Sequence, residues 1–144
     1  MDTSELRKRI LHALDAARKD AVVRRSAVDE AGRAFEIFLT ATAVPLLRQA
    51  QDVLRAESQP FRVETPAGSA RIVSEKSGDT FIEFVLDIKP TQPQVIGRVS
   101  VTRGRQGVIV EERPVTAGKA VADLGDDDVA KFLVTEIPKL VLKP

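Results

Sequence analysis

The sequence predicts an α+β protein: a long N-terminal helical arm, an antiparallel meander sheet of about five strands, and a C-terminal helix packed on one sheet face. Three observations carry this reading. Apolar residues recur at helical spacing from Thr3 to about Ser58, then alternate at strand spacing from Phe61 to Glu112. Turn-forming clusters, Pro66-Ala67-Gly68 and Lys76-Ser77-Gly78-Asp79, punctuate the alternating part. A second helical pattern then runs from Asp126 towards Leu142. The change of period at Pro60 divides the chain into an arm, residues 1–58, and a sheet with its closing helix, residues 59–144. The two are expected to fold as one cooperative unit.

The arm starts at Asp2 and Glu5, three residues apart, the spacing of an acidic capping box. Leu6, Ile10, Leu14, Ala17, Ala21, Val28, Ala31, Phe35 and Leu39 then fall on one stripe. Arg24 is the polar visitor on it. A hairpin broken at Arg25-Ser26 is the alternative, but no Gly or Pro marks that turn, which favours one continuous helix. Reaching Ala43, it would be roughly 60 Å long at 1.5 Å per residue, more than one small sheet can cover. Pro45 lacks a backbone donor, so the helix is expected to end or kink at Val44. A further segment would carry Leu46, Leu47, Ala50, Val53 and Leu54 inward, until Glu57-Ser58-Gln59-Pro60 ends helix altogether.

Strands are predicted over about 61–65, 69–75, 80–88, 95–103 and 107–112. The third places Ile82, Phe84, Leu86 and Ile88 on one face, and the fourth does the same with Val95, Val99 and Val101. The other face would be wet. Arg62, Glu64, Arg71, Glu75, Glu83, Asp87 and Arg98 alternate in sign there and read as cross-strand pairs. Residues 113–125 are long for a connection and are expected to hide a short strand or a turn of helix. In Asp126-Asp127-Asp128 one carboxylate would cap the last helix and the others complement its dipole. Pro138 would kink or restart it.

Composition narrows function more by exclusion than by signal. The chain has 144 residues, 30% charged and 43% hydrophobic, with a net charge of +1. That is a single globular domain with no long-range field to steer it to nucleic acid or a membrane. No cysteine and a single histidine exclude disulfides, thiolate chemistry and a multi-histidine metal site within one chain. The opening MDTSELRKRI lacks the apolar core of a secretion signal, so a cytoplasmic location without membrane contact is expected. No nucleophile elbow, dinucleotide fingerprint or zinc motif occurs, and Gly118-Lys119 fails the phosphate-loop pattern because Arg113 and Ala120 stand where Gly and Ser/Thr are required. The expectation is therefore no enzyme, no cofactor and no metal.

What the sequence does offer is surplus apolar surface. A stripe longer than its own sheet can cover normally marks an interface. The first expectation is a noncatalytic interaction or adaptor protein that self-associates, most simply as a homodimer, through Leu6, Ile10, Leu14, Val28, Phe35 and Leu39; an unidentified protein partner could use the same stripe. A second reading is nucleic-acid binding by Arg98, Arg103, Arg105 and Arg113 at one end of the sheet, where the tip Arg103-Gly104-Arg105-Gln106-Gly107 could also hold an anion. The near-neutral charge and the lack of Trp and Tyr count against it. The weakest reading is carboxylate acid–base catalysis by Glu83, Asp87, Glu111 and Glu112, which would require a concave, water-poor site.

Overall fold

The structure, a computed structural model, describes residues 1–141. Helix α1, Thr3–Phe38, is unbroken through Ser26, so the chain forms the long helix rather than the hairpin. At 36 residues it is about 54 Å long. Asp2 caps it, accepting from the Ser4 backbone N–H at 3.3 Å. Glu5 does not close the expected box; it pairs with Arg9 at 3.4 Å.

Pro45 neither ends nor sharply breaks the helix. Leu39–Ala43 form a π-type turn in which the Val44 N–H bonds the Leu39 carbonyl, and α2, Val44–Ala56, follows at once. A proline ring clashes with the carbonyl four residues back, and the wider turn gives it room. The helix stops at Ser58, which takes a φ of 60°. There the Gln59 N–H bonds the Leu54 carbonyl at 2.8 Å and the Ser58 N–H bonds that of Arg55 at 3.1 Å. This is a Schellman cap with serine in the place glycine usually takes.

The sheet is an antiparallel meander in the order β1-β2-β3-β4-β5, as the alternation requires. Its strands are Phe61–Glu64, Ala70–Ser74, Phe81–Asp87, Gln94–Thr102 and Val108–Pro114. Helix α3, Asp126–Val141, continues through Pro138; the expected end of this element at Leu142 lies outside the described residues. One layer of helix covers one sheet face, and Ile82, Phe84, Val95, Val99 and Val101 are buried beneath it. Two strand ends differ from expectation. Ile88 lies beyond β3 and is exposed, and β5 runs on to Pro114, past the predicted end at residue 112.

The core is one cluster that joins Phe35, Phe38 and Leu47 of the helical segment to the sheet and to Val129, Phe132 and Leu133 of α3. Four phenylalanine rings run through it in series. Phe35 lies 6.0 Å from Phe38, Phe38 6.1 Å from Phe84, and Phe84 5.8 Å from Phe132 between centroids. Gly97 on β4 is where α3 comes closest to the sheet, because the Phe132 ring occupies the space a Cβ would need.

Residues 113–125 resolve into the end of β5, a turn at Gly118 and a single 3₁₀ turn, Val121–Asp123, whose Val121 is buried. At the start of α3 one of the three aspartates closes the helix end, as expected, and it is the third. Asp128 reaches back to the Gly125 N–H at 2.9 Å while also accepting from Thr116 at 2.7 Å and from Lys119 at 3.0 Å. The Gly125 N–H, the Thr116 hydroxyl and the Lys119 ammonium hold its pKa down at about 2. Lys119 is thus tied to a helix start, which accounts for the residue without any phosphate.

Candidate functional site

Residues 1–26 are exposed throughout, and the body of the protein begins only at Ala27. The first two-thirds of α1 therefore stands clear of the fold. Its apolar side chains face water: Leu6 is 49% exposed, Ile10 50%, Leu11 54% and Leu14 45%. Past Ala27 the stripe turns into core. Val28 is half-buried, Leu39 is packed against the cluster, and Phe35 is buried within it. Of the six stripe residues expected at an interface, Leu6, Ile10 and Leu14 are on the free arm, whereas Phe35 belongs to the protein's own core and Val28 and Leu39 to its margin. The stripe looks the same along its length; only its cover changes.

Arg24 marks the boundary. Its guanidinium donates to the carbonyls of Ile88 at 2.8 Å and Lys89 at 3.3 Å, tying the arm to the β3–β4 loop. Gln92, Pro93 and the Ala120–Ala122 turn then line the helix beside Ala27, Glu30 and Ala31. On the side of the arm away from the stripe, Glu5 pairs with Arg9 and Asp15 with Lys19 at 3.1 Å. Pairs four apart support a helix by only about 0.2–0.5 kcal/mol each, so the free arm has little to hold it but its capping and alanine content.

The stripe carries a finer spacing than a 3.6-residue period. Thr3, Arg7, Ile10, Leu14, Ala17, Ala21, Arg24, Val28, Ala31, Phe35 and Phe38 are separated alternately by four and three residues. That is the seam of a two-helix packing, with Leu6, Leu11, Ala13 and Asp20 flanking it. Leu11 is absent from the simple stripe and is found only through this seam.

The four arginines of the nucleic-acid reading do not share a face. Arg98 points to the uncovered side, pairing with Glu83 at 3.3 Å and Glu112 at 3.1 Å. It completes a row across all five strands, Glu64-Arg71-Glu83-Arg98-Glu112, in which Arg71 also meets Glu64 at 3.1 Å. Of the seven residues expected to pair across strands, Glu64, Arg71, Glu83 and Arg98 do so, whereas Arg62 meets Glu64 on its own strand at 3.7 Å and Glu75 meets Arg55 of α2 at 2.9 Å. Val73, Ile96 and Ser100 are also buried on this face, which was expected to be wet, and the Ser100 hydroxyl donates to the Asp79 carbonyl at 2.6 Å. Arg113 points the other way, beneath α3, and pairs with Glu111 and Glu136. Arg103 and Arg105 remain exposed at the tip, where Gly104 and Gly107 adopt the positive φ of the turn.

The carboxylates are similarly divided. Glu83 and Glu112 are both engaged by Arg98, and the Asp87 carboxylate accepts from the Lys89 N–H at 3.0 Å. Glu111 and the buried Glu136 border a recess of about 10 Å³, beside Arg103 and Lys139. This is roughly the space of one water. Glu136 Oε1 meets Arg113, and Lys139 Nζ lies 3.1 Å from Oε2 but off the line of a hydrogen bond. Among the described residues no three His, Asp or Glu gather as metal ligands, and no helix is long and apolar enough to cross a membrane. One larger concavity, about 310 Å³, lies between α2 and α3 and is lined by Leu46, Ala50, Val53, Leu133, Val134 and Ile137.

No protein-family model matches the chain, and neither a curated protein nor a solved structure shows significant similarity to it.

Proposed function

We propose that this is a noncatalytic assembly or adaptor protein that self-associates through its N-terminal arm. One observation carries the reading: the helix from Thr3 to residue 26 is exposed throughout, with Leu6, Ile10, Leu11 and Leu14 uncovered. A helix standing alone in water is marginal even with good propensity, and most helical stability in proteins comes from burying an apolar face. Among the described residues the arm has no such burial. A second copy supplies it with the least assumption, because the same seam is then self-complementary.

The test is molar mass by light scattering across a wide concentration range. The native chain should rise above its 15.7 kDa monomer as concentration increases. A variant carrying Ile10→Lys and Leu14→Lys should stay monomeric and, at a dilution where the native chain is also monomeric, unfold at the same midpoint, since both residues are exposed and outside the core. A native chain that stays monomeric at every concentration would overturn the proposal.

A further inference from the structure

Resting on the self-association just proposed, we infer that two arms pair antiparallel, centred near His12, so that the partner helix covers residues 1–23 and ends where the body begins. Three features of α1 point to this arrangement.

The first is room. From Arg24 onward the helix is flanked by the β3–β4 loop, to which Arg24 is hydrogen-bonded, and by the Ala120–Ala122 turn. The seam itself passes into the core at Phe35 and Phe38. Two parallel helices in register would have to run side by side through that region. They could avoid it only by splaying apart, and α1 has no break between Thr3 and Phe38. Antiparallel helices centred near residue 12 bring the partner's first residue opposite residue 23, short of the obstruction.

The second feature is volume. The bulky seam residues Ile10 and Leu14 lie towards the N-terminus, with Leu6 beside them, and the small ones, Ala17 and Ala21, towards the body. Parallel pairing sets large against large and alanine against alanine, so the helix separation would have to change along the pair. Antiparallel pairing sets Thr3 against Ala21, Arg7 against Ala17 and Ile10 against Leu14. The bulky Ile10/Leu14 layers then sit at the centre, with the Arg7/Ala17 and Thr3/Ala21 layers, each a larger against a smaller side chain, placed symmetrically outside them, so the pair does not taper from one end to the other.

The third is charge. Arg7 and Arg24 are both seam positions, and in a parallel pair each would meet its own copy across the interface. Antiparallel pairing sets Arg7 over the partner's Ala17 and beside the partner's Asp20, and leaves Arg24 outside the overlap, free to keep its bonds to Ile88 and Lys89.

The absence of cysteine allows single spin labels to be placed without background. Three variants, Ser4→Cys, His12→Cys and Val22→Cys, would each be labelled, and the label–label distance measured by pulsed dipolar spectroscopy on the full-length protein. Antiparallel arms centred at residue 12 put the His12→Cys labels closest, with the Ser4→Cys labels offset along the axis by about 24 Å and the Val22→Cys labels by about 30 Å. Parallel arms in register would give no axial offset at any of the three sites, so the distances would differ only by where each label lies around the helix. That result would overturn the orientation while leaving self-association standing. A shortest distance at a site other than His12→Cys would overturn the register. Absence of dipolar coupling in all three, with a monomeric mass, would overturn both this inference and the self-association on which it rests.

Discussion

At the scale of single residues, the most constrained position is Gly97. Adding a methyl group to a strand glycine normally helps, since glycine loses more conformational freedom on folding than any other residue. Here the sign reverses, because the Phe132 ring fills the space and is itself backed by Phe84 at 5.8 Å. Overpacking of this kind costs about 1–3 kcal/mol, and Gly97→Ala should lose that much in chemical denaturation. Adding Phe132→Leu should recover part of the loss, because the two positions share one contact and their effects cannot be additive. A loss below about 0.5 kcal/mol would mean that the ring moves aside freely. The sequence gives no sign of this contact: Gly97 sits in an alternating run between Ile96 and Arg98, and only the fold brings α3 over it. Residue-level charge was easier to read. Glu64, Arg71, Glu83 and Arg98 pair across β1 to β4 as expected, whereas Val108-Ile109-Val110-Glu111-Glu112-Arg113 has too little alternation to assign faces, and Arg113 turns out to lie beneath α3.

Among the elements, those with strong local periodicity were legible and those decided by tertiary packing were not. The strands of the sheet follow from the alternation of Ile82, Phe84, Val99 and Val101, and the long helix from an unbroken stripe with no Gly or Pro at Arg25-Ser26 and only Gly32 before Pro45. The outcome at Pro45 was not readable, because a proline in a helical pattern can end it, kink it or be absorbed by a widened turn, and packing of Ala43 and Leu47 into the core selects the last. Nor could the stripe say where the body starts. Arg24, its one charged interruption past Arg7, lies at that boundary, but its role depends on the Ile88 and Lys89 carbonyls 64 and 65 residues away. The arm's lack of cover has a measurable consequence. If its helix is held by a partner, dilution through the dissociation range should unwind part of residues 1–26 and reduce far-ultraviolet helical ellipticity. Ile10→Lys with Leu14→Lys should show the reduced value at every concentration. Ellipticity that does not change with dilution in an associating native chain would mean that the arm is stable alone and that partner burial is not what holds it.

For the molecule as a whole, the two proposed uses of its surface would respond differently to salt. Net charge is only +1, and most of the sheet's basic groups are already spent. Arg98 is held by Glu83 and Glu112, and Arg113 by Glu111 and Glu136. That leaves Arg103 and Arg105 as the exposed pair at the tip. Binding of duplex DNA through two such contacts would carry a log–log salt slope of about −2, half of what four arginines on one face would give. The proposed association of the arms would be different in kind. Its seam is formed by Ile10, Leu14, Ala17 and Ala21, whose burial does not depend on counterion release, so its dissociation constant should change little between low and moderate salt. One titration series measures both: molar mass of the protein alone, and retention of a labelled DNA duplex, at matched salt concentrations. We expect the mass curve to be nearly flat and the duplex to show no binding even at low salt, where electrostatic attraction is strongest. Duplex retention that falls with a slope near −2 and is abolished by Arg103→Ala with Arg105→Ala would restore the basic tip as a nucleic-acid site. A mass that collapses as salt is raised would instead show that charge, rather than the apolar seam, holds the arms together.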